Sequence, residues 1–169
     1  MARERGKEET KDRATRRLAV VLDTNIVISS LIKPGGFTRS ILLQLEDMAD
    51  LYVPRALLEE LAEKTEYLAR KKGVSSEELR YMLSLLFSSV ETIESDIIKS
   101  FIKDALNYVR DPDDAPFVAL AFYLRSMYRE VIILTWNVRD YKRDHLGELK
   151  INVLTPRDIL VDNICGCFS

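Results

Sequence analysis

Apolar and polar positions fall into blocks along this chain, and the period changes from block to block. Leu18-Ala19-Val20-Val21-Leu22 is an unbroken apolar run, the pattern of a strand buried on both faces. Thr24 to Ile32 reads as a short helix stopped by Lys33-Pro34-Gly35-Gly36. Over 37–48, Phe37, Ile41, Leu42, Leu45 and Met48 recur at helical spacing. Leu51-Tyr52-Val53 predicts a short strand closed by Pro54. Residues 55–72 predict a long helix with Leu57, Leu58, Leu61 and Leu68 turned inward and Gly73 ending it. Ser75 and Glu78 make a capping box for a helix reaching about Phe87. Val90 to Ile93 is a weaker strand. A helix is expected from Ser95 or Asp96 through Arg110, and another from Asp114 to about Tyr128, with apolar residues from Phe117 to Leu124. Val131-Ile132-Ile133-Leu134 and Ile151-Asn152-Val153-Leu154 complete the strands, and Thr155 to Asp158 begins a terminal helix.

Strands that alternate with helices predict an α/β fold with a parallel sheet and helices on both faces. The expected division is a charged, flexible N-terminal tail over 1–17, one domain over 18–160 and a C-terminal tail over 161–169. The helices around 55–89 read as an addition to one sheet edge.

Composition narrows the class. At 169 residues, 47% hydrophobic and 31% charged, the chain can bury one full core. No apolar run approaches the ~18 residues that span a bilayer, and the N-terminus has no hydrophobic stretch of the signal-peptide kind. A cytoplasmic protein with no membrane partner is therefore expected. Cys165 and Cys167 stand too close for an ordinary disulfide and offer too few ligands for zinc. The net charge of −2 creates no global field for nucleic acid, but basic residues cluster locally. Residues 1–17 hold seven Lys/Arg against four Asp/Glu, and Arg139, Lys142 and Arg143 follow the late strand. Solvation explains both groups as simply as RNA contact does.

The polar residues at strand ends carry the candidate chemistry. Asp23, followed by Thr24 and Asn25, ends the first strand at the carboxyl edge, where open α/β sheets bind ligands. An Asp there also serves as an ordinary N-cap. Glu59 and Glu60 lie two turns into the helix after Pro54, about 100° apart, so at most one of them is expected to share a pocket with Asp23. Periodicity does not choose between them. Asp111, Asp113 and Asp114 crowd a helix start, where the dipole favours carboxylates and where their mutual repulsion favours a cation. Thr135, Trp136, Asn137 and Asp140 follow the strand 131–134 and reach the same edge. If the fold brings Asp23 and the Asp111–Asp114 acids together, they make an all-oxygen cluster suited to a hard divalent cation. The single histidine, His145, is expected in a charged loop, which leaves Ser-His-Asp and Cys-His catalysis without a placed base. No GxGxxG or GxxxxGK[ST] loop is present.

Four segments, taken in order, resemble the PIN domain, a family of metal-dependent ribonucleases. They are Val20-Val21-Leu22-Asp23-Thr24-Asn25 with Ser29 or Ser30 behind it, Tyr52-Val53-Pro54 followed by Leu58-Glu59-Glu60-Leu61, Asp111-Pro112-Asp113-Asp114 followed by Ala119-Leu120-Ala121, and Leu134-Thr135-Trp136-Asn137-Val138-Arg139-Asp140-Tyr141. The resemblance implies a three-layer α/β/α sandwich with a short central parallel sheet. It selects Glu60 over Glu59 and implies that Asp23, Glu60 and Asp114 are the principal acids for Mg²⁺ or Mn²⁺, with Asp111 an outer metal contributor. Thr24, Asn25, Thr135, Asn137 and Asp140 would orient ligands or water, and Arg139, Lys142 and Arg143 would contact RNA phosphates. Many relatives carry an Asp where this chain has Asn137, which leaves Asn137 and Asp140 as alternatives for the fourth ligand place. The implied activity is hydrolysis of RNA phosphodiester bonds, with the metal ions doing what a His base would otherwise do. The implied partners are RNA, a protein antitoxin where the chain is the toxin of a pair, and a second copy in a homodimer. A catalytically silent PIN-like module that binds RNA or protein is the alternative.

Overall fold

The computed structural model describes residues 18–165, so the expected tail over 1–17 and the last four residues lie outside the described residues. Five parallel strands form the centre: β1 (Leu18–Leu22), β2 (Asp50–Pro54), β3 (Val90–Ile93), β4 (Glu130–Leu134) and β5 (Ile151–Leu154), in the spatial order β3-β2-β1-β4-β5. Every residue of β1 is buried, because β1 is the middle strand and lies between β2 and β4. Val20 stands beside Leu51 on one side and Ile132 on the other. The strand order reverses direction between β1 and β4, so the connections leave their carboxyl ends toward opposite faces. That divergence opens a crevice at a topological switch point, and Asp23 stands in it.

Around the sheet lie α1 (Thr24–Ile32), α2 (Phe37–Met48), α3 (Arg55–Lys72), α4 (Ser76–Phe87), the short α5 (Ser95–Ile98) and α6 (Ile102–Ala105), α7 (Ala115–Leu124), α8 (Arg143–Glu148) and α9 (Pro156–Cys165). The result is the α/β sandwich that the segment pattern implies. The apolar helix α7 lies across β1, β2 and β4, with α5 and α6 against it, while α9 packs on α2 and β5. Residues Phe117 to Ala121 of α7 are all buried, which is why its sequence is apolar on every side. Among the described residues no single helix is long and apolar enough to cross a membrane; α1 and α2 pass that test only as a pair, and they bend by 115° at their junction. The predicted stop signals behave as expected. Gly73 caps α3 at φ +78°, and the Ser75–Glu78 capping box has both bonds in place.

Two expected helices are corrected. The segment from Ser95 is not one helix through Arg110. Glu94 is its N-cap, and α5 and α6 are joined and followed by 3-10 turns at Lys99–Phe101 and Leu106–Tyr108. Val109 then leaves the helical path to form an antiparallel bridge with Tyr141, with Arg110 N–H donating to the Asp140 carbonyl and Lys142 N–H to the Tyr108 carbonyl, each at 2.9 Å. The helix gives way to bonds with a distant loop that local periodicity does not register. The second correction is to the helix expected from Asp114 to Tyr128. Pro112–Asp114 is a 3-10 turn capped by Asp111, and α7 ends at Leu124. Tyr128 is held instead on β2, where its hydroxyl donates to Asp50 Oδ2 at 2.6 Å. The helix α9 continues past residue 160, and His145 lies on α8 rather than in a loop.

Candidate functional site

The site begins at the break between β1 and α1. Asp23 N–H donates to the Leu134 carbonyl at 3.0 Å, which continues the β1–β4 ladder by one residue. Its Oδ1 accepts the Thr24 N–H at 2.7 Å, so Asp23 caps α1. Its Oδ2 accepts the Tyr141 hydroxyl at 3.0 Å. Capping and site roles are therefore shared between two oxygens of one carboxylate, which is only 6% exposed.

Neighbouring side chains bind the site segments to one another. The Thr24 hydroxyl donates to Glu60 Oε2 at 2.8 Å, which joins α1 to α3. The other Glu60 oxygen accepts Lys64 Nζ at 2.5 Å, one helical turn on. Asn25 Nδ2 donates to the Thr135 hydroxyl at 3.1 Å, and Asn25 Oδ1 accepts the Trp136 N–H at 3.0 Å. Thr135 is fully buried, and its oxygen also accepts the Asn137 N–H at 3.0 Å. Asp111 Oδ1 accepts the Asp113 N–H at 3.0 Å and shapes the turn that carries Asp114.

These groups line one open cleft of about 700 Å³. Asp23, Thr24, Asn25, Glu60, Asp111, Asp114, Asn137 and Asp140 are all in its wall, as the motif reading requires. Thr135 lies behind them. The basic trio is elsewhere: Arg139, Lys142 and Arg143 do not line the cleft, and Arg143 Nε donates to the Val153 carbonyl at 3.2 Å. The expectation that only one of Glu59 and Glu60 shares the pocket is also corrected. Glu59 and Glu63 both reach the cleft, because it is wide enough to run along α3. They are exposed at its mouth, whereas Glu60 is half-buried against Thr24. Sequence reasoning missed Tyr141 and Lys64. Lys64 was legible as the i+4 partner of Glu60. Tyr141 carried no such signal, since its role depends on the Val109 bridge.

The cleft walls hold eight carboxylates and, among the described residues, one cation, Lys64. The electrostatics follow from that imbalance. Burial pushes the Asp23 carboxyl above its ordinary range; bonds from Thr135, Tyr141 and Thr24 pull it back down, and the charge of Glu60 adds to the rise. Burial, together with the charges of Asp23, Asp140, Asp111 and Asp113, pushes Asp114 up to about 7. Tyr141 is driven upward by burial and by the charge of Asp23, so it remains a phenol that donates. Among the described residues no three carboxylate, imidazole or thiol groups converge tightly enough to cage an ion by themselves. The donor set is nonetheless all oxygen and strongly negative, and the cleft is open. That combination fits a hard divalent cation which keeps several waters.

Comparisons with known proteins bear on the family and the fold. An uncharacterized protein of Methanocaldococcus jannaschii is 30% identical over 152 residues, covering 85% of this chain and 90% of that one. The fold is similar to a chain in the crystal structure of VapBC2 from Rickettsia felis bound to a DNA fragment from their promoter, with a TM-score of 0.56 and 14% identity over 81% of this chain and 98% of the other. The model of the PIN domain matches residues 21–128, a span that contains Asp23, Glu60 and Asp114, and the chain belongs to the PIN domain family.

Proposed function

We infer that this protein is a metal-dependent ribonuclease that hydrolyses RNA phosphodiester bonds in the acidic cleft. The observation that carries the reading is the convergence of Asp23, Glu60, Asp114 and Asp140 in one wall, with Asp114 pushed up to about 7 by burial and its acidic neighbours. A phosphate does not enter so negative a hollow unless a cation neutralises it. Asp23 and Asp114 would hold Mg²⁺ or Mn²⁺ directly, with Glu60, Asp111 and Asp140 completing the charge around it. When bound, such an ion supplies Lewis acidity toward phosphate oxygens and lowers the pKa of its water.

The remaining work falls to the chain's own groups. Tyr141 and Thr24 N–H fix the two Asp23 oxygens, so the carboxylate does not turn away from the cleft. The Thr24 hydroxyl holds Glu60 in reach of the same space. Asn25 and Thr135 tie the loop after β4 to α1, which places Asn137 and Asp140 at the cleft. Asp140 supports a charged fourth position better than Asn137 does, because its charge already acts on Asp114.

Asp23→Asn tests the reading. The isostere keeps the cap acceptor and should fold as the parent does by circular dichroism, yet lose Mn²⁺-dependent cleavage of single-stranded RNA by at least a hundredfold. Unchanged turnover would overturn this site. The likeness to a chain of the Rickettsia felis VapBC2 assembly supports a toxin setting with an antitoxin partner. If a small gene for a DNA-binding protein lies beside this one, its co-expression, followed by co-purification and loss of nuclease activity, tests that setting.

A further inference from the structure

A second hollow, of about 610 Å³, opens beside the acidic cleft and has the opposite character. Its wall includes Ser29, Lys33, Phe37, Thr38, Trp136 and Arg157, with no carboxylate. Phe37 is 41% exposed and Trp136 is half-buried, so both rings are accessible from the hollow. Lys33 and Arg157 are exposed, and neither is ion-paired among the described residues. The Ser29 and Thr38 hydroxyls are bonded to each other at 3.0 Å and retain capacity to donate or accept.

The position is as informative as the composition. Trp136 N–H is bonded to Asn25, which lines the acidic cleft. Ser29, in the wall of this hollow, follows Asn25, in the wall of the acidic cleft, by four residues on α1, so these two lining residues stand about 6 Å apart along the helix axis. That spacing is on the scale of one to two nucleotides of a strand, at about 3.4 Å per stacked nucleotide. Accessible aromatic faces together with unpaired cations are what a splayed base and its phosphate need.

We propose that this hollow is a nucleotide subsite for single-stranded RNA, in which a base stacks on Trp136 and Phe37 while Lys33 and Arg157 hold its phosphate, next to the bond being cut. The inference rests on the ribonuclease reading for the identity of the strand, but its test does not use cleavage. Trp136 is the single tryptophan of the chain, so its fluorescence reports on the hollow directly. A 5′-phosphorylated diuridylate, which offers the hollow a base and a phosphate and is not cut without a metal ion, is titrated into the full chain in chelator.

Saturable quenching is expected, weakened about tenfold by Phe37→Ala and by Arg157→Ala. Both substituted side chains are exposed, so folding is not at risk. The Lys33→Ala, Arg157→Ala double variant should weaken binding further and flatten its salt dependence. A blunt RNA duplex of about ten A·U and G·C pairs should not quench, since its bases are not free to stack. No quenching by the dinucleotide, or quenching indifferent to all these variants, would overturn the subsite. So would quenching by a short acidic peptide but not by the dinucleotide, which would make the hollow a protein-docking site. Failure of the ribonuclease reading would appear separately, as absence of Mn²⁺-dependent cleavage by the parent chain.

Discussion

Tyr141 holds the second oxygen of Asp23. Its hydroxyl is buried and gives a charge-assisted bond to Oδ2. Tyr141→Phe removes that donor without changing the packing, so its cost is that of one bond to a charged group, about 1.5–3 kcal/mol. Urea denaturation in chelator should show a loss in that range, and the Mn²⁺ concentration needed for half-maximal activity should rise about 10- to 100-fold. A variant equal to the parent in both would mean that Thr24 and Thr135 suffice to hold Asp23. Tyr141 also marks the limit of what the residues alone reveal. Asp23 and Asp114 were legible because each stands at a strand end or helix start, where an acid is conspicuous, whereas Glu60, inside α3, was separated from Glu59 only by the family resemblance. The Tyr141 bond arises from a meeting of residues 109 and 141 that no local spacing records. The same limit applies to Arg139, Lys142 and Arg143. As a charge cluster they suggest phosphate contact, but whether they face the cleft depends on the path of the loop after β4.

At the scale of elements, stability divides between the buried helix α7 and the peripheral pair α3–α4. Leu120 of α7 is fully buried, and Leu120→Ala should cost 2–5 kcal/mol through the cavity it leaves. Ser75→Ala removes a solvent-exposed cap from α4 and should cost about 1 kcal/mol, with cleavage unaffected because α4 does not line the cleft. Denaturant midpoints for the two variants check this ordering; equal losses would mean that α4 is integral to the core. The strands, α1 to α4 and their caps follow from sequence patterning because each has a strong local cause: an unbroken apolar run, a Gly at positive φ, a reciprocal capping box. The segment over 95–110 was misread because its local cause is weak. Ile98 and Ala105 are buried at helical spacing, yet the backbone of Tyr108 to Arg110 bonds better to Asp140–Lys142 than to its own preceding turn. That exchange brings the Asp111–Asp114 turn beside Asp140, so the break in the helix belongs to the construction of the site.

For the molecule as a whole, the acid cluster makes stability depend on pH and on metal together. Asp114 has an ordinary carboxylate pKa of 3.8 when unfolded and about 7 when folded. Between those values the native state binds more protons than the unfolded state, so stability in chelator should fall as pH rises from about 4 to 7. Asp114 is about half-exposed, and after solvent screening the drop is on the order of 1–2 kcal/mol. Asp23, also raised, contributes in the same direction. Glu94 is lowered by its bond to Arg55 and acts in the opposite sense, with stability lost only at the acid end as pH falls through its folded value. A bound divalent cation should reverse the trend above pH 7, because it favours the ionised acids that burial disfavours. At a hundred times its dissociation constant, Mn²⁺ adds about 2.7 kcal/mol. Melting temperatures across pH 4–8, with and without Mn²⁺, should therefore converge at low pH and separate above neutrality. Asp23→Asn should shrink that separation while raising stability in chelator, since it removes one charge from the crowded wall. Parent curves that coincide at every pH would mean that the cleft takes no divalent ion, and the chain would then be a PIN fold that binds without cutting.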